Sequence, residues 1–108
     1  MAQSIKLGND TFLDAQGING YKGLLDSSDN LDNMYMRHHS GIYYLGANVQ
    51  NSPANYCMLI MIGTGEGNAS IAFQMIQSYN KIYIRRRAGS GSNYTWSAWY
   101  ELTGTQVS

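Results

Sequence analysis

The segment IYIRRRAGSGSNYTWSAWYEL (82–102) gathers three consecutive arginines and two tryptophans, Trp96 and Trp99, three positions apart. A guanidinium beside aromatic rings can stack on them or fork onto a carboxylate or phosphate. That chemistry suits nucleic acid, another anionic ligand or a sugar. The period-two alternation of a strand splits the cluster: Ile82, Ile84 and Arg86 point one way, Tyr83, Arg85 and Arg87 the other. The ligand-binding candidates are therefore Tyr83, Arg85 and Arg87 as one exposed face, with Tyr79 and Tyr94 beside the flanking turns. The competing reading is a solvated edge strand whose charges discourage pairing with other chains. On a regular strand Trp96 and Trp99 face opposite sides, one toward the core and one outward. Tryptophan in a small domain favours the core, and the structural core is assigned to Tyr43, Phe73, Trp96 and Trp99.

Other chemistry is thinner. His38 and His39 are neighbours with no third ligand at suitable spacing, so a single chain is expected to hold no metal; one histidine per chain converging on a symmetry axis is the remaining route. GTGEGN (63–68) lacks the lysine-serine/threonine ending and following helix of a phosphate loop, and reads as a turn. Cys57 is the only cysteine, which excludes an internal disulfide; within YCMLIMI it reads as a small buried hydrophobe rather than a nucleophile. The seven carboxylates lie mostly in the N-terminal third, where turn chemistry explains them. No Ser–His–Asp or Cys–His arrangement stands out, so no catalytic residue or cofactor is assigned and no enzymatic activity is expected. Sequons at Asn9, Asn68 and Asn93 serve as turn markers without a secretory context.

Seven basic residues balance seven acidic ones. Nucleic-acid binding draws on a clear basic excess, so zero net charge weighs against it. Residues 1–20 hold no apolar signal core and no run approaches a membrane span, so neither a signal peptide nor membrane insertion is expected. Low charge (13%) with twelve glycines and nine tyrosines points to an all-β chain.

The elements that must position these residues follow from the same text. Residues 1–30 offer only short β-like pieces, Ser4–Leu7 and Thr11–Leu13, broken by GND and GING; they read as an N-terminal arm or connector. Leu24–Met36 holds at most a helical turn, capped by Ser28 or Asp29. Residues 31–108 read as the β domain. Ser40–Ala47 is a strand, and NVQNSPAN is a loop around the only proline, Pro53. Tyr56–Ile62 is apolar on both faces, as a fully covered strand would be. Ser70–Gln77 alternates, SYNK turns the chain, and AGSGSN leads into the last strand, TWSAWYEL. The predicted architecture is a small antiparallel sandwich or meander knob.

The ordered set GIYY (41–44), Asn51 with Pro53, IYIRR (82–86) and W-S-x-W-x-x-L (Trp96, Ser97, Trp99, Leu102) resembles the knob domains that end phage tail fibres and the related pyocin fibres. The resemblance spans about Leu31 to Leu102. It implies a homotrimeric receptor-binding tip, carried on the virion and made in the bacterial cytoplasm. Its partner would be a bacterial surface polysaccharide or surface protein, and it implies no enzymatic activity. The family fixes no receptor-contacting residues. The alternative is a structural baseplate or tail-fibre connector that binds other virion tail proteins. The apolar excess of YCMLIMI and IAFQMI gives trimer assembly a motive of its own.

Overall fold

A computed structural model describes residues 4–7, 10–14 and 20–108. Near the N-terminus, β1 (Ser4–Leu7) and β2 (Asp10–Asp14) pair antiparallel, with a register shift between Ile5 and Lys6. The remaining strands are β3 (Tyr21–Leu25), β4 (Gly41–Leu45), β5 (Cys57–Gly63), β6 (Ala72–Ser78), β7 (Lys81–Ser90), β8 (Asn93–Trp96) and β9 (Tyr100–Leu102). They form one open sheet in the order β3-β4-β5-β6-β7-β8, with β9 also pairing β7. From β4 to β8 it is the predicted antiparallel meander.

Two features depart from expectation. β3 lies within the stretch read as an arm, yet it pairs in parallel with β4 at the edge of the main sheet. And the inner face is covered by loops rather than by a second sheet. A 3-10 turn at Leu31–Asn33, a second at Arg37–His39 and the loop around Val49 supply that cover. The cap of the first turn is Asn30, whose side chain accepts from the Asp32 amide, rather than Ser28 or Asp29.

Alternation along the strands decides which residues meet this cover. Tyr43 and Leu45 on β4, Cys57, Leu59 and Met61 on β5, and Ala72 and Ile76 on β6 are buried with Leu31, Met34 and Val49. Tyr43 is core, as predicted, and its hydroxyl donates to the His39 carbonyl. The opposite face carries Ile42, Ile60, Ile62, Phe73, Met75 and Ile84, and much of it is open. Ile62, for example, is 47% exposed. Strand β5 is thus apolar on both faces but covered on only one. Phe73, assigned to the core, lies on this outer face and is only half-buried, because the inner positions of β6 are Ala72, Gln74 and Ile76.

β7 is central for most of its length, flanked by β6 on one side and by β9 and then β8 on the other. The edge-strand reading of the arginines therefore fails. Both hairpin turns around it are two residues long. Tyr79 opens the β6–β7 turn with φ 54, and Gly91 opens the β7–β8 turn with φ 61, where a side chain is least welcome.

Candidate functional site

Tyr83, Arg85 and Arg87 share a face, as alternation requires, but it is the covered face. Arg85 is 5% and Arg87 4% exposed, and Tyr83 packs against the core. The exposed arginine is Arg86. Burying a guanidinium is costly unless hydrogen bonds compensate it, and both arginines are tied into hydrogen-bond networks.

Arg87 is a loop clamp. Its Nη1 donates to the carbonyls of Asn68 (2.7 Å) and Ser70 (2.9 Å) and its Nη2 to Asn68 Oδ1 (3.0 Å), which fixes the β5–β6 connection. Its guanidinium lies 3.9 Å from the Tyr35 ring centroid and 5.8 Å from that of Tyr94. Every one of these partners is structural.

Arg85 is placed differently. Its Nη1 donates to Asp32 Oδ1 at 2.7 Å and its Nε to Gln74 Oε1 at 2.9 Å. Gln74 is itself fully buried and donates to the carbonyls of Leu31 and Met34, so β6, β7 and the first 3-10 turn lock together through one side chain. Burial lowers the pKa of Arg85, and the bond to Asp32 opposes that shift; the group stays protonated. Its Nη2 is buried with no hydrogen-bond partner among the described residues.

The guanidinium lies 4.2 Å from the centroid of Trp96 and 4.7 Å from that of Trp99. Two tryptophans three apart meet one arginine because the strand is broken between them. Arg87 pairs with Trp96 and Ile84 with Tyr100, so two residues of β7, Arg85 and Arg86, oppose three, Ser97 to Trp99. Such a bulge advances the side-chain phase by one and returns Trp99 to the inner face. Ser97 holds the break in place: its amide donates to the Arg86 carbonyl at 2.8 Å, and its Oγ accepts from the Arg86 amide at 3.1 Å. Both indoles are then anchored at their edges, Trp96 Nε1 to the Asp32 carbonyl (3.1 Å) and Trp99 Nε1 to the Asn51 carbonyl (2.8 Å). Both rings are half-buried against the core rather than divided between core and solvent.

These groups line a pocket of about 440 Å³ together with Asn51, Ser52, Ser97 and Ala98. Of the predicted binding residues only Arg85 reaches it. Tyr79 stands at a hairpin tip, 93% exposed, and Tyr94 lies beside Arg87. Asp32 and Gln74 were not singled out from sequence, and Asn51 only as a mark of its loop. The available signal for Gln74 was a polar residue alternating with Ala72 and Ile76, which on a covered face demands partners.

Other cavities serve less well. The cleft between the loops, about 500 Å³, is lined by Asp29, Asn30, His39, Tyr43 and Gln50. Several of its polar groups are already bonded to neighbouring residues: Asp29 accepts from the Asp26 amide and Gln50 donates to the Ser27 carbonyl. Burial pushes the Tyr43 hydroxyl up to about 12 and the Cys57 thiol upward as well, so neither is a nucleophile near neutral pH. His38 and His39 stack at 4.0 Å, and no group of three metal-ligating side chains occurs among the described residues. Among the described residues no helix is long and apolar enough to cross a membrane. Comparison with protein-family models, with curated proteins and with solved structures finds no match to this chain.

Proposed function

We propose that this chain is the receptor-binding tip of a phage tail fibre: a non-catalytic domain, trimeric in solution, that attaches the virion to a bacterial surface polysaccharide or protein. The observation that carries the reading is the pocket over Arg85, walled by Trp96 and Trp99 and held rigid by Asp32, Gln74 and Asn51. Its size falls within the range of small-ligand sites, about 300–1,000 Å³, and its aromatic walls with a few fixed polar groups are the usual furniture of recognition. Every side chain that shapes it is already pinned, so little ordering would be lost on binding.

The outer sheet face supports assembly. Tyr44, Met58, Ile62, Ile82, Tyr100 and Leu102 are all exposed there, a contiguous apolar surface of the kind that marks an interface. Three copies would display three pockets, and weak single sites would gain strength by acting together. The same face also favours the second reading, a connector that docks on another tail protein.

Labelled purified chain is expected to bind intact bacteria of a susceptible strain and to lose that binding after periodate or protease treatment of the cells. A chain that binds no bacterial surface but captures a tail structural protein is a connector.

A further inference from the structure

The chemistry of the pocket is specific enough to name a ligand class, an inference that rests on the receptor-binding reading above. We infer that the pocket over Arg85 takes a neutral hexopyranose unit and discriminates against acidic sugars.

Three observations lead there. The first is charge. Among the described residues Arg85 and Asp32 are the only charged side chains lining the pocket, and they are paired at 2.7 Å. The site is therefore neutral, and the cation that an anionic ligand would need is already taken. Asp32 is 44% exposed on its side chain, so an incoming carboxylate would meet a carboxylate first.

The second is the pattern of free hydrogen-bonding atoms. Both indole N–H groups are spent on the carbonyls of Asp32 and Asn51. The Ser52 and Ser97 hydroxyls donate to the carbonyls of Ala54 and Ala98. Asp32 Oδ2 and Asn51 Oδ1 take up no hydrogen bond among the described residues, and both are acceptors. Arg85 Nη2 is the reverse case, a buried donor without a partner. A hydroxyl is the group that answers both, donating to a carboxylate oxygen and accepting from a guanidinium. Adjacent ring hydroxyls fit an Asp–Arg pair better than any single-function group.

The third is the wall. With their edges bound and Arg85 lying 4.2 and 4.7 Å from their centroids, Trp96 and Trp99 can offer a ligand only the ring surface that the guanidinium leaves free, whose π density attracts the C–H groups of a sugar ring. A polar rim with an apolar face is the shape of a pyranose. An amide donates and accepts through separate atoms, whereas a single hydroxyl does both.

The test is a titration of the full chain with methyl glucopyranoside, galactopyranoside and mannopyranoside, and with methyl glucuronide as the acidic probe, read at the two indole N–H resonances. At least one neutral glycoside is expected to shift both resonances, and the glucuronide to bind about tenfold more weakly or worse. The variant Asp32→Asn, which keeps the shape and removes the charge, is expected to close that gap by releasing Arg85 toward the glucuronide. The inference is overturned if no neutral glycoside moves either resonance, or if glucuronide binds the native chain as well as its neutral counterpart does. Should Asp32→Asn fail to fold, the native titrations decide alone. Cell binding that persists without any glycoside response sinks this inference and leaves the receptor reading standing; a glycoside response without cell binding does the opposite.

Discussion

Gln74 shows how much a single side chain can hold. It bonds two loop carbonyls and orients Arg85, all without water contact. Replacing it by leucine preserves volume but strands an amide-bonding pair of carbonyls and one guanidinium N–H. A loss of about 2–4 kcal/mol in urea-monitored stability is expected, since buried unsatisfied groups cost about 1–3 kcal/mol each and relaxation recovers part. His39 gives a pH-dependent counterpart. Burial first, then the charges of His38 and Lys22, lower its pKa below the ordinary value of 6.5, and its Nδ1 accepts from the Met36 amide. The unfolded chain thus binds this proton more readily than the folded one. His39 therefore contributes stability that is complete above about pH 6.5 and is lost as pH falls through the folded pKa. The urea midpoint is expected to decline below about pH 6.5, and His39→Asn, which keeps an acceptor for Met36, to flatten that decline. The arginines teach the complementary lesson about legibility. That Arg85 and Arg87 share a face can be read from IYIRRR alone; that the face is covered cannot. Their partners Asp32, Trp96 and Asn68 come from other parts of the chain, and only those partners make burial of a charge tolerable.

At the scale of elements, turns and the meander were legible because their signals are local. SYNK turns where expected, GTGEGN connects β5 to β6, and Pro53 stays in a loop. What escaped were features set by register. The parallel β3–β4 contact depends on a crossover through residues 26–40, and the bulge at Ser97–Trp99 depends on which residues of β7 lie opposite. Two substitutions probe such placement. A Cβ on Gly63 would lie 2.5 Å from the Tyr35 carbonyl oxygen and 2.6 Å from that of Met36, so the loop before the second 3-10 turn would have to retreat. Gly63→Ala is expected to cost about 1–3 kcal/mol in thermal or urea unfolding. Tyr79, by contrast, holds a left-handed conformation with 93% exposure, its carbonyl accepting from Gln77 Nε2 at 2.7 Å. Tyr79→Asn is expected to stabilise the chain by up to about 1 kcal/mol, as asparagine tolerates that conformation better. A loss of cell binding in this variant with gained stability would return Tyr79 to the list of contact residues.

For the whole molecule, the decisive property is the sheet's two unlike faces, one sealed by loops and one apolar and open. Sedimentation equilibrium is expected to give three times the 12.0 kDa chain mass, and a charge placed on the open face, Ile62→Glu, to yield a folded monomer. A native chain that stays monomeric at micromolar concentration would remove the assembly. The bulge that brings Trp99 back over Arg85 has a further consequence, one of timing. The pocket draws on Asp32, Asn51, Arg85, Trp96 and Trp99, so its earlier residues wait on the segment from β8 to Trp99 to be synthesised. Until then Arg85 has neither ring, and the carbonyls of Asp32 and Asn51 have no indole to hold them. A chain that ends before Trp96 lacks both aromatic walls of the pocket. Recognition at this pocket, as proposed above, would therefore also report that the chain has been made through Trp99 and has closed.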